Sequence, residues 1–271
     1  MDVHVGFTEH DTWDRMLKHF RGGYFRGFVR RTPQVVVSLP MMPRSAKRQH
    51  AACARGQFDA TFRQFGALLV EAGAGGAIIR LGWEANIGSD SHPWGIDGTR
   101  DIPDYKRCFQ REVAALKATA PNLKIEWTNA KRGSMSVSTL ESYPGDQSVD
   151  LMGIHYYNNT PKIVTDRDWE AMYKATHNKG PWGLGEWLKA AKARGRKLGI
   201  GEWGQWARSG ESFSQADNPV YIDQMHRFFR ANANDLAYEN YFNCRQEHQI
   251  YPTKGLPKSS SRYRELWASG R

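Results

Sequence analysis

Two acidic residues stand where a chain can put carboxylates to work. Ala77–Trp94 reads AIIRLGWEANIGSDSHPW: an apolar strand that abruptly turns polar and aromatic. It delivers Arg80, Trp83, Glu84 and Asn86 into one loop mouth, and a strand end gathering a cation, an indole, a carboxylate and an amide has the form of a site. Lys197–Trp206, KLGIGEWGQW, repeats the pattern and ends its strand in Glu202, with Trp203 and Trp206 on either side of Gly204. A single strand-end glutamate is as readily a structural residue bonded to loop backbone. Two of them, on two buried strands, fit a catalytic pair. One carboxylic acid would protonate a leaving oxygen while the other carboxylate attacks an acetal carbon, a job that needs the pair roughly 5–5.5 Å apart.

The elements that must position such a pair follow from the hydrophobic pattern. Met1–Phe7 alternates as a first visible strand, and a helix runs through Trp13, Met16, Leu17 and Phe20 to Gly22-Gly23. Tyr24–Arg30 is ambiguous between strand and loop. Gln34–Leu39, QVVVSL, is continuous and β-branched, as in a strand buried on both faces. Helices are predicted over 58–72, 103–118, 182–194, 221–232 and 261–267, and strands over 77–84, 123–129, 149–157, 197–202 and 236–243. This alternation, with polar and aromatic groups at the strand ends, predicts one (β/α)8 barrel over residues 1–271. Seven strands are legible. Either Tyr24–Arg30 is a weak one or the first strand is missing upstream. An open doubly wound sheet would bring a glycine-rich phosphate loop after its first strand, which the sequence lacks.

Composition narrows the partners. The 271 residues are 40% hydrophobic and 24% charged, ordinary globular values. No apolar run is long enough for a membrane span, and MDVHVGF is no signal peptide. Net charge is +10, yet the basic residues are scattered without a nucleic-acid-binding signature, so no nucleic-acid partner is expected. The three cysteines, Cys53, Cys108 and Cys244, make no metal motif, and the nine histidines form no ligand set at strand ends. No metal and no cofactor are signalled. Cys53 and Cys108 either pair or remain buried thiols.

Sugar rings stack their C–H faces on indoles, and Trp83, Trp94, Trp127, Trp203 and Trp206 all fall at or just past strand ends. The arrangement resembles clan A of the glycoside hydrolases, and most of all glycoside hydrolase family 26, whose members include endo-β-mannanases. RLGWEAN, with Trp94 downstream, resembles that family's Arg-x-x-His-Glu-x-Asn pattern and following tryptophan. VDLMGIHYYN resembles its sixth-strand pattern ending in a tyrosine, here Tyr157, and IGEWG its nucleophile segment. The similarity extends over most of the chain from Pro33 onward. It implies a retaining glycosidase, with a β-linked polysaccharide or oligosaccharide as partner, a monomer, and an extracellular or periplasmic location. Trp83 stands where the mannanases carry a histidine of the sugar-recognition site, which weighs against mannan.

The roles implied are these. Glu202 is the nucleophile, kept ionised by Arg80 and Tyr157. Glu84 is the acid/base, its pKa raised by Trp83 and the second carboxylate. Asn86 positions the sugar or Glu84; Asn129 ends the strand that also carries Trp127; His155 contacts substrate or is structural. Glu239 and Asn240 are divided between structure and function. The alternatives are a carbohydrate-binding barrel without catalysis and an unrelated barrel hydrolase. Arg44, Lys47, Arg48, Lys131, Arg132 and Arg245 follow strands, so in a barrel they would form a basic rim suited to an acidic glycan.

Overall fold

The computed structural model describes residues 3–21, 24–32, 34–207, 216–244, 248–252 and 255–268; Gly22-Gly23 and Arg245 lie outside them. Its strands in chain order are β1 (Val3–Phe7), β2 (Gln34–Leu39), β3 (Ile78–Leu81), β4 (Lys124–Ala130), β5 (Leu151–Asn158), β6 (Thr176–His177), β7 (Gly180–Pro181), β8 (Lys197–Gln205) and β9 (Leu236–Tyr241). β6 and β7 form a small antiparallel hairpin. The other seven run parallel in the order β1-β2-β3-β4-β5-β8-β9, and β9 approaches β1 without pairing with it among the described residues. The sheet thus curls into a nearly closed (β/α)8-type barrel. Glu84 follows its third strand and Glu202 lies in its sixth, with two strands between them as expected.

The helices are α1 (Trp13–Arg21), α2 (Tyr24–Val29), α3 (His50–Ala54), α4 (Asp59–Glu71), α5 (Ile102–Thr119), α6 (Asp166–Tyr173), α7 (Leu184–Lys192), α8 (Pro219–Ala231) and α9 (Pro257–Ala268). Tyr24–Arg30 is therefore not the weak strand. Phe25, Phe28 and Val29 have helical spacing, and α2 uses it to set buried Phe25 against Phe20 of α1. Two helices go unseen in the sequence. At five residues α3 is too short to show a period. α6 is announced by a capping box in which Thr165 and Asp168 satisfy each other's backbone N–H groups. No helix among the described residues is long and apolar enough to cross a membrane.

Outward strand residues and the helices share one large core, while a small cluster of Val36, Ile78, Leu151 and Tyr238 fills the barrel itself. Cys53 of α3 and Cys108 of α5 are joined as a disulfide. Oε1 of Glu112, a buried residue of α5, lies 3.2 Å from Cys53 Sγ. A disulfide sulfur carries no hydrogen, so the carboxyl must donate. Burial, and after it the charge of Asp59, pushes Glu112 well above the ordinary carboxyl range, which keeps that proton in place.

Candidate active site

The inward faces of the strands change character along the barrel axis. At the N-terminal end they are apolar; toward the C-terminal end they carry Ser38, Arg80, Glu126, Thr128, His155, Tyr157 and Glu202, all buried. In β5 the inward phase is regular, with Gly153, His155 and Tyr157 two residues apart. In β8 it is not. Gly153 pairs with Gly199 but His155 with Glu202, so β8 spends one residue more than β5 over the same span. The same extra residue appears against β9, where Ile200 pairs with Glu239 and Trp203 with Tyr241. This bulge turns Glu202 inward and leaves Trp203 facing out.

Arg80 is the hub of the buried groups. Its Nη2 lies 2.5 Å from Ser38 Oγ and 3.1 Å from Glu202 Oε1, and its Nη1 lies 2.7 Å from His155 Nε2. Gly201 makes room for it, since a Cβ there would stand 2.4 Å from Nη1. A guanidinium only donates, so His155 Nε2 must accept and its Nδ1 carries the hydrogen. That hydrogen points at Glu84 Oε1, 2.9 Å away. The other Glu84 oxygen, Oε2, lies 3.2 Å from His92 Nε2. Tyr157 donates to Glu202 Oε2 at 2.6 Å. Burial, and next the Glu202 charge, raises the Tyr157 phenol well above its ordinary value, so it keeps the proton it donates. One imidazole thus stands between two carboxylates on strands across the barrel.

Glu84 itself adopts a left-handed backbone conformation, φ 54° and ψ 31°, just past β3. Residues other than glycine adopt it at a cost of roughly 1–3 kcal/mol, and such strain collects at functional positions. Its amide donates to Thr128 O at 2.8 Å, which fixes the turn. The expected upward pKa shift is reversed. Burial does push the Glu84 carboxyl up, but His155, and after it His92, more than offset this and hold it below the ordinary carboxylate range.

The other expected residues divide. Trp83 packs edge-on to Phe7 and His92 beside the carboxylate, and half-buried Trp206 packs edge-on to Tyr157. Both therefore border the site. Asn86 grips the backbone of Ala130 with both ends of its amide, each at 2.9 Å, so it braces the loop against β4. Three tryptophans are corrections. Trp94 is 0% exposed and donates its indole N–H to Trp83 O, leaving no face for a sugar. Trp127 turns outward against Trp187 of α7, and Trp203 packs among α8 and α9 with its indole on Glu239. Asn129 falls on the same strand face as Trp127 and is buried, its Nδ2 without a hydrogen-bond partner among the described residues. Glu239 is held by Trp203 and Trp267, and Asn240 Nδ2 reaches Gly201 O at 3.4 Å, so their contacts are structural.

His92, Ser38 and Phe7, over whose ring Arg80 lies at 5.1 Å, belong to the site and escaped the sequence reading. Only His92 left a signal, an imidazole in the loop right after a candidate acid. Three cations of the expected rim are paired with carboxylates. Arg44 pairs with Asp11, Lys47 with Asp90 and Arg48 with Asp97. Lys131 is buried, its Nζ 3.0 Å from Tyr157 O, and Arg132 lies over the Trp182 ring.

No family model matches the sequence, and no curated protein matches it significantly. Solved structures do match in fold. A family 26 β-mannanase from Bacteroides ovatus superposes with a TM-score of 0.60 at 14% identity, over 98% of this chain and 79% of that one. The catalytic domain of a family 26 endo-β-1,4-mannanase from a Bacillus species gives 0.58 at 15% identity, over 94% and 69%. A hyperthermostable endo-1,4-β-D-mannanase from Thermotoga petrophila gives 0.61 at 9% identity, over 99% and 91%. The fold of this chain is therefore the TIM barrel that these glycoside hydrolases share.

Proposed function

We propose that this barrel is a retaining glycoside hydrolase that cleaves a β-linked polysaccharide within the chain, with Glu202 as nucleophile and Glu84 as acid/base. The observation that carries the reading is the clasp on Glu202: Arg80 and Tyr157 each donate to one of its oxygens, while His155 links the same cluster to Glu84. Such donors aim the carboxylate at an anomeric carbon and leave it acceptor-only. In the first half-reaction Glu84 gives a proton to the leaving oxygen as Glu202 closes on C1. In the second, Glu84 takes a proton from the water that opens the glycosyl ester. The fold shared with endo-β-1,4-mannanases makes β-1,4-mannan the first substrate to try. Pairing of the loop cations with Asp11, Asp90 and Asp97 favours a neutral glycan over an acidic one. The Cys53–Cys108 disulfide suits an extracellular or periplasmic setting.

The test is a hydrolysis screen over neutral and acidic β-glycans, with the anomer of the first product read by NMR. The reading expects retention, rates indifferent to added salt, and Glu202→Ala that is inactive until azide yields the inverted glycosyl azide. Inversion of the first product would overturn the double displacement. A steep salt dependence on a uronate polymer would restore the acidic glycan.

A further inference from the structure

Between Gly88 and Asp97 the loop after β3 folds back on itself. The Ser89 amide and hydroxyl donate to the Asp97 carboxylate at 2.6 and 2.7 Å, and Gly95 N donates to His92 O at 2.8 Å. Gly95 runs so close to Gly88 that a Cβ there would stand 2.0 Å from the Gly88 carbonyl carbon. The loop after β2 holds it from outside, through Arg48 N on Pro93 O at 2.9 Å. The product of this bracing is the placement of one side chain. The His92 ring lies flat on Trp94, centroids 4.9 Å apart and planes 7° apart, with Nε2 at Glu84 Oε2.

Glu84 therefore meets two imidazoles in different situations. His155 is 1% exposed and its Nε2 is committed to Arg80, so it can only donate its Nδ1 hydrogen. His92 is 17% exposed beside a carboxylate that is 16% exposed, at the mouth of the barrel. Among the described residues His10, from the loop between β1 and α1, is close enough to feel the charge of His92, and the loops after β2 and β3 carry the Lys47–Asp90 and Arg48–Asp97 ion pairs.

We propose that His92 is a positioning residue that stores the proton Glu84 uses, a role that rests on Glu84 being the acid/base. In the first half-reaction the Nε2 proton of the His92 imidazolium passes to Glu84 Oε2, leaving a neutral ring and a carboxylic acid. Glu84 gives that proton to the leaving oxygen as the C1–O bond breaks and the Glu202–C1 bond forms. In the second half-reaction Glu84 takes a proton from water as its oxygen bonds to C1 and the Glu202 ester opens. The proton then returns to His92 Nε2. One water is consumed and no net proton. The arrangement explains how a carboxylate held in its charged form by two imidazoles still acts as an acid.

The experiment compares His92→Gln and His92→Ala with the intact protein. Glutamine still donates to Oε2 but cannot carry a proton; alanine does neither. Without substrate, carbon-13 NMR of the Glu84 carboxyl, assigned through Glu84→Gln, reads its titration, and His92→Ala moves the midpoint upward. With an unactivated β-glycan, both variants lose about 10-fold or more in kcat, a share of what general acid catalysis supplies. With an aryl glycoside whose leaving group needs no proton, the bond-breaking step hardly changes. Added imidazole partly restores His92→Ala. A Glu84 midpoint unmoved in His92→Ala overturns the coupling, and full activity in His92→Gln reduces His92 to a hydrogen-bond donor. Equal losses on both substrates without imidazole rescue leave only packing. If the wild type cuts no glycan, the hydrolase reading fails while the NMR titration still decides the coupling.

Discussion

Glu84 Oε1 and His155 Nδ1 lie 2.9 Å apart, and the direction of that hydrogen bond is dictated from the far side of the ring, where Arg80 occupies Nε2 at 2.7 Å. A residue two contacts removed thus sets which tautomer of His155 Glu84 meets, while His155 and His92 together hold the carboxyl in its charged form. The indole of Trp83, though adjacent in sequence, does not decide it.

Replacing His155 by Asn should accordingly alter pH dependence as well as rate. A group that favours the charged form of a carboxyl lowers its pKa, so removing it raises that pKa and shifts the alkaline limb of kcat/KM to higher pH. The rate itself should fall roughly 10²-fold as Arg80 and Glu84 lose their shared partner. Initial rates from pH 3 to 9 on one substrate check both; an unmoved limb would assign it to another residue.

Gly201→Ala tests the crowding beneath the site. The added methyl would stand 2.4 Å from Arg80 Nη1 and 3.2 Å from His155 Nε2. Arg80 must swing off Glu202, and overpacking of this kind costs about 1–3 kcal/mol. Activity should drop roughly 10²-fold or more with KM little changed, because the loss falls on the reacting carboxylate. Steady-state kinetics beside a thermal melt separate the two effects, and an active variant would show that Arg80 does not need this seat.

Glu112→Gln addresses stability away from the site. The folded pKa of Glu112 is raised, so its contribution to stability is fully present below the unfolded value and is lost as pH rises toward the folded one. At pH 4 the substitution should therefore change little, whereas at pH 7 it should stabilise the fold, read as a higher Tm. Melts at the two pH values give the comparison, and a larger gain at pH 4 would reverse the assignment.

Much of this was legible in the chain. Buried strands ending in polar clusters fixed the barrel and put Arg80, Glu84, Tyr157 and Glu202 at one mouth, because a strand that stops being apolar has reached the barrel rim. The order of Glu84 and Glu202 around the barrel followed from the two strands between them. The short helices α2, α3 and α6 were less legible, since five to eight residues leave little room for a period to appear.

What the sequence by itself determined is the set of groups; which of them meet was decided in space. Period two places a side chain on one face or the other, but the extra residue in β8 reverses that phase, sending Glu202 inward and Trp203 out among the helices. Trp94 looks like a platform in the sequence and is a strut beneath His92 in the fold. Three of the loop cations that read as a basic rim, Arg44, Lys47 and Arg48, pair instead with Asp11, Asp90 and Asp97, all three on neighbouring loops. Charge and proton affinity depend on distances of a few ångströms between residues far apart along the chain, and those distances exist only once the barrel has closed around Arg80.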